Sequence, residues 1–565
     1  MRRDILDIRI LLCLFFLGSC TKEKTDFVYD NRPKEYELSS VRIVNLGGYT
    51  QVVANGDTLT NTASGIPTEY FTSNGRLPET WMMPKALFEA NGKVDMHVLD
   101  AAGKTIRFSV DDQGEKPVDL YTIRPEGSGQ PYAVPIARDT GAPSKPDHFK
   151  IRIVNLCKTI GPLSAPLYTG PVEDLTGDIS LVYADGSPVS AQTSDVSISQ
   201  RVSDYVELPY GTYQFKVLSE DGRQVSSTAY GTNVEFFPKR TMDPLTSRVI
   251  STGITYAPIK TYQPGGVYTI VVAPFAFAPI LGNNAVEGYQ NQFKIVEDVP
   301  EKPNTGFGKV QLVNASPDGV VNLRLNGQNK GALSFTEATD YYILSPGEYT
   351  VEAVDRTGTV LAVLRYPLGP SQNHTVWAYR DVDGELQLIP VVNDLSTTFY
   401  RARNEDDGSN NRFEHTMSMS TRFLNFCPDE PYVSITVRNG QDMRQFDELI
   451  ADKRPVLHDD EAMYNLRPGQ PHTFFPYVRW GVEHNTLVEL LVFRSRPGIT
   501  PGTWADDIPE LSTAAMIANP GLYTQVGREL PATEPGIFSI ALVGRTGDDV
   551  PDGQKAKLMV LKHNN

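Results

Sequence analysis

Most hydrolases and transferases carry their chemistry in a short signature: a G-x-S-x-G nucleophile elbow, a zinc-binding H-E-x-x-H, or a glycine loop that cradles phosphate. None of these is present in the 565 residues. The densest group of ligand-type side chains is His458, Asp459, Asp460 and Glu461, with His472 and His484 further along. Metal sites use such residues at compact, fixed spacings. Here the spacing fits no such motif and the segment precedes "YNLRPGQ", so it reads as a solvated acidic turn. The loops "NEDDGSNN", "RDVDGE" and "GDDVPDG" place Asp406, Asp407, Asp548, Asp549 and Asp552 among carboxylates that calcium favours. They lack the twelve-residue helix-loop-helix spacing, and plain turns are the simpler reading. No catalytic residue, no metal ligand and no cofactor is assigned.

Aromatic side chains offer the better binding chemistry, because sugar rings and other flat ligands pack on exposed Trp and Tyr faces. In "HTVWAYRD", Trp377 and Tyr379 point one way and Val376 and Ala378 the other, so one pair must face a core, and Trp377 is expected there. Trp504 and Tyr523 lie in a segment of about 495–536 that reads as a long insertion before a final hairpin. Long loops in compact domains are commonly functional. These two are the candidate ligand-binding residues.

The N-terminus "MRRDILDIRILLCLFFLGSC" has a basic start and a short apolar run from Ile10 to Leu17, too short to span a bilayer. Leu17, Gly18, Ser19 and Cys20 follow, resembling the lipobox of bacterial lipoproteins, which implies that Cys20 is acylated and becomes the first residue of the mature chain. Removing residues 1–19 takes away three Arg and two Asp, so the formal charge moves from -16 to -17. Such a balance carries no basic footprint for nucleic acid. Cys157 and Cys427 lie 270 residues apart at matching places and are expected as buried free thiols.

A phrase recurs four times: "VRIVNLGGYT" from Val41, "IRIVNLCKTI" from Ile151, "VQLVNASPDG" from Val310 and "TRFLNFCPDE" from Thr421. Aligned on Asn45, Asn155, Asn314 and Asn425, apolar and polar residues alternate before the Asn. That period of two predicts a strand with one face in a core and the other toward solvent. The Asn is expected to end the strand, tolerating a left-handed turn and bonding its own backbone. Each copy continues to a turn dipeptide, Asn55-Gly56, Asp185-Gly186, Asn326-Gly327 or Asn439-Gly440, expected as a type I′ hairpin. Further short strands and turns follow at intervals of eight to twelve residues, the pattern of an antiparallel β-sandwich.

The third copy, over residues 305–398, resembles a family of bacterial exported Ig-like domains of unknown function that opens V-x-V-[HN]-A-S-P-D. Val313, Asn314, Ala315, Ser316, Pro317 and Asp318 carry the likeness, and "LSPGEY" and "HTVWAYRDVDGELQLIPVVND" follow in the family's order. The resemblance implies a fold and an exported setting, and no activity.

The expected organisation is all-β: four tandem antiparallel Ig-like sandwiches behind a signal peptide (1–19) and an acylated tether (20–36). The sandwiches span 37–147, 148–304, 305–398 and 399–565, strung like beads. The expected function is that of an outer-membrane lipoprotein exposed at the cell surface, a non-enzymatic stalk or binding protein. Its alternatives are a glycan-binding accessory of a polysaccharide uptake system and a structural adhesin or fimbrial component. The expected partners are the membrane, through the acyl chain, and a polysaccharide or another envelope protein.

Overall fold

The computed structural model describes residues 36–395 and 419–565, apart from 101–102, 104, 124–131, 161–174, 228–241, 244–247, 250–258, 278–279, 282–283, 286–287, 438–461, 474–475, 481–488, 518, 520 and 522–535. The fold is all-β, a tandem series of β-sandwiches. Four hydrophobic cores succeed one another along the chain, each between a first sheet that contains a copy of the repeated phrase and a second sheet that follows it.

The phrase strands are Leu38–Asn45, His148–Asn155, Gly308–Asn314 and Met419–Asn425, each the second strand of its sheet. In the third sandwich the order is Tyr342–Leu344, Gly308–Asn314, Asn373–Arg380, Leu386–Val392, and the other three repeat it. The sheets are antiparallel except at one place common to all four sandwiches, and at a second in the second sandwich, where Gln224–Ser227 runs parallel to Gly288–Glu297. At the common place the phrase strand runs parallel to the penultimate strand, as in the pairings Val313↔Trp377 and Leu424↔Ala541. The first and third hairpins match their prediction, with positive φ at both central residues: 49° and 94° at Asn55-Gly56, 49° and 75° at Asn326-Gly327. At Asp185-Gly186 only the glycine is left-handed, and the Asp185 carboxylate instead accepts the Ser187 N–H at 2.9 Å. Asn439-Gly440 lies outside the described residues.

None of the four repeated Asn residues has a positive φ. They work as hydrogen-bond hubs instead. The Asn314 Oδ1 accepts the Ser316 N–H at 2.9 Å, while its Nδ2 donates to the carbonyls of Gly319 and Leu333, both at 2.9 Å. Asn425 repeats the pattern with the Cys427 N–H and the Glu430 and Leu466 carbonyls, and Asn155 with the Cys157 N–H and the Gly177 and Val196 carbonyls. One amide thus satisfies a buried turn on one side and the second sheet on the other, which ties the two layers together.

The second face of the phrase strand is where the structure departs from the sequence pattern. Ile43 and Leu312 enter their own cores, but Val44, Leu46, Val313 and Ala315 do not turn to water. Val44, Leu46, Tyr121 and Ile123 of the first sandwich pack on Val154, Leu156, Val271 and Ala273 of the second. Val313, Ala315, Trp377 and Tyr379 of the third pack on Leu424, Phe426, Ala541 and Val543 of the fourth. These are matching positions of the repeat, so each pair uses the same patch from both sides, the arrangement of an isologous dimer written within one chain. A polar residue at every second position looks like a solvent face in sequence. Here it marks a buried interface with a polar end.

The beads arrangement is also corrected. Ile259 of the second sandwich shares a small apolar cluster with Leu395, Tyr477 and Ile537, and the Asn565 N–H donates to the Thr212 carbonyl at 3.0 Å. The fourth sandwich therefore touches the second, and order along the chain is not order in space.

Candidate functional site

Of the three residues singled out for attachment or binding, Cys20 and Tyr523 lie outside the described residues, as do Asp406, Asp407, His458, Asp459, Asp460, Glu461 and His484. Trp504 is described and half exposed, at 51%. Its setting differs from the predicted loop. Ile499–Trp504 is a strand that pairs with Glu489–Arg496 through Phe493↔Trp504, and Leu511–Ser512 pairs with the same strand. Gly498, at a φ of 80°, makes the tight turn between them. The first part of the segment read as an insertion thus forms the edge of the fourth sandwich's second sheet, and Ala505, Ile508 and Met516 belong to its core, while 522–535 lie outside the described residues. Trp504 is thus held on a rigid element.

Trp377 is fully buried, as expected, but not in the core of its own sandwich. It lies in the seam with the fourth, its ring 4.9 Å from that of Phe426, while Tyr379 stands 5.1 Å from the same ring.

Several of the described carboxylates are matched by cations. Asp318 and Asp429, the acids of the third and fourth phrases, bind Arg380 and Arg545, which closes each phrase turn onto the end of the neighbouring strand. Arg494 bridges Glu430 at 2.7 Å and Asp507 at 2.7 Å, and this guanidinium holds the Asp507 carboxyl below its usual range. Asp552 pairs with Lys555 at 2.7 Å. Among the described residues no group of three or more His, Cys, Asp and Glu could hold a metal ion. Cys157 and Cys427 are buried in separate cores, and burial pushes the Cys427 thiol up to about 12.

The densest buried charge lies at the polar end of the seam between the first two sandwiches. Arg42, three residues before its Asn, donates to Asp119 with Nε at 2.9 Å and Nη2 at 2.5 Å, and reaches across to Asp298 at 2.9 Å. Asp298 also accepts from Tyr205 at 2.8 Å and Thr269 at 2.5 Å, and burial raises its carboxyl above the usual value. Arg152, the matching residue of the second phrase, donates to the Thr269 hydroxyl at 2.9 Å and to the Ala137 carbonyl at 2.9 Å. In the other pair Arg422 plays this part with uncharged partners. It donates to the Val392 carbonyl, to Asn393 Oδ1 at 2.6 Å and to Ser539 at 2.8 Å. His563 then links Ser539 to Tyr341, both at 2.7 Å. The Arg of the phrase was legible in sequence. Its role was not, because each Arg also reaches a partner in the neighbouring sandwich: Asp298 for Arg42, the Ala137 carbonyl for Arg152, and Val392 and Asn393 for Arg422.

The fold and these surfaces define a tandem β-sandwich protein whose sandwiches are joined in pairs. Residues 308–400 match DUF4397, a domain of unknown function, which covers the third sandwich. No curated protein matches the chain. Among solved structures, the crystal structure of BcpA, the major pilin subunit of Bacillus cereus, aligns with 60% of this chain and 98% of its own at 8% identity, with a TM-score of 0.09. A likeness that faint carries no argument.

Proposed function

We propose that the chain is a lipoprotein of the cell envelope, anchored through Cys20 to the outer membrane and exposed at the cell surface, where it acts without catalysis as a scaffold and binding protein. The observation that carries the scaffold reading is the pairing of equivalent sheet faces through buried apolar clusters. Two sandwiches that share a buried apolar seam resist relative motion far better than beads on a flexible linker. The anchoring reading rests on Leu17-Gly18-Ser19-Cys20 after a short apolar run. Cys20→Ala tests it: the variant is expected in the soluble fraction and without incorporated fatty acid. A variant that stays in the membrane pellet with no acyl group overturns it.

A second reading, glycan binding, is favoured by the Trp504 ring, which is 51% exposed on an edge strand whose position the sheet fixes. A polysaccharide screen of the intact chain against Trp504→Ala tests it. Equal binding by both proteins removes this surface.

A further inference from the structure

The chain contains its own controls for how a sheet edge is treated. In the first sandwich the second sheet ends on Thr105–Asp111, whose exposed residues are Arg107, Ser109 and Asp111, polar groups of the kind that keep an unpaired edge solvated. In the second sandwich the matching strand, Gln224–Ser227, is covered, since it pairs with Gly288–Glu297 and joins the two sheets into one of seven strands. The third sandwich leaves the edge without a covering strand and mixes exposed Arg365 and Pro367 with exposed apolar side chains. Its second sheet ends on Val360–Leu368, nine residues long, and among the described residues no strand pairs with its outer side. Val360, Leu361 and Val363 are 44%, 45% and 54% exposed.

The free ladder groups can be identified. The Thr350 carbonyl accepts the Asn326 N–H, so the even-numbered residues of Gly347–Val354 bond toward Val321–Leu325 and the odd-numbered ones bond toward Val360–Leu368. The partners of Tyr349 and Val351 are Tyr366 and Leu364, which places the backbone groups of Val363, Arg365 and Pro367 on the open side. Pro367 has no N–H to offer and ends the usable ladder. Val363 and Arg365 remain as complete donor and acceptor pairs.

We propose that this edge is an interface to a second copy of the chain, formed by antiparallel pairing of Val360–Leu368 with itself about Leu364. In that register Val363 lies opposite Arg365 of the second copy, and the two symmetric pairs exchange four backbone hydrogen bonds. Leu361 then meets Pro367 of the second copy, apolar against apolar. The missing N–H falls where the ladder ends. The strand is thus complementary to itself in hydrogen bonding and in side chains, and the pairing would continue an existing sheet.

Sedimentation equilibrium of the full-length chain in density-matched detergent tests this, with Val363→Pro as the probe. The substitution removes one N–H from the open side and none from the bonds to Gly347–Val354. The expected result is a reversible dimer in the native protein and a dissociation constant raised at least tenfold in the variant, with circular dichroism and the thermal midpoint kept. If Val363→Pro loses the fold, Val363→Lys keeps the backbone bonds and brings a cation close to Arg365 of the second copy, with the same shift expected. A native chain that stays monomeric over the measurable range, or a dimer unchanged by a folded variant, overturns the proposal. So does a monomer that captures a different protein through this edge.

Discussion

Trp377 of the third sandwich and Phe426 of the fourth stack across their boundary, ring centroids 4.9 Å apart and planes inclined at 29°. Phe426 follows the repeated Asn425 and Trp377 pairs with Val313 beside the repeated Asn314, so the contact joins one copy of the phrase to the strand that lies beside another copy. At the strand position filled by Trp377 the fourth sandwich has Ala541, and the large ring of one partner fits beside the small residue of the other. Such fitting of large against small is what allows two sheets to approach closely.

Phe426→Ala should therefore open the seam as well as lower stability. Truncating a buried Phe costs about 3 kcal/mol. The expected outcome is a lower urea midpoint together with a red shift of tryptophan emission, as Trp377 gains water.

The first seam should fail differently. Asp119 is fully buried and faces both Arg42 and Arg138. Asp119→Asn leaves two buried guanidinium groups short of a counter-charge, and breaking a buried ion pair in this way costs about 3 kcal/mol. Added salt should not repair the loss, because the site is shielded from solvent ions. Denaturant midpoints at low and high salt check both statements.

The repeated Asn residues should differ in worth according to burial. Asn314 is fully buried with three backbone partners, while Asn45 is partly exposed and serves the Tyr49 backbone on both sides. Asn314→Ala strands an N–H and two carbonyls out of water and should cost about 3 kcal/mol. Asn45→Ala should cost about 1 kcal/mol, because water reaches its partners. Chemical denaturation of the two variants gives the comparison.

Acid should weaken the third and fourth sandwiches first. Burial lowers His374 to about 4 from an ordinary 6.5, and burial and then Arg422 lower His563 well below that ordinary value. A histidine whose folded value is depressed contributes its full stability above the unfolded value and loses it as pH falls toward the folded one. For His374 that window is pH 6.5 to 4, worth about 3 kcal/mol. Asp298 acts in the opposite sense: its raised value means that protonation favours the folded state as pH falls. Thermal midpoints from pH 7 to 4 should fall, and His374→Leu should flatten part of the slope.

Alternation of side chains, the Asn-Gly turns and the fourfold phrase were enough to determine the all-β class and the sandwich repeat, because period-two patterning and positive-φ turns are local properties of the chain. The hairpins at Asn55 and Asn326 follow from two residues each. The roles of Arg42, Trp377 and Phe426 were decided only in three dimensions. Arg42 pairs with Asp119 of its own sandwich but also with Asp298 of the next, and Trp377 and Phe426 meet each other across a seam, and no spacing rule reports which faces will meet. Trp504 shows the same limit from the other side. Its segment looked like a loop because Pro, Gly and Thr weaken a strand signal, and pairing with Glu489–Arg496 overrode that local preference. The second face of each phrase strand was read as solvent-facing because polarity in sequence records only that a side chain is polar, while its burial depends on whether another surface brings the hydrogen-bond partner that water would otherwise supply.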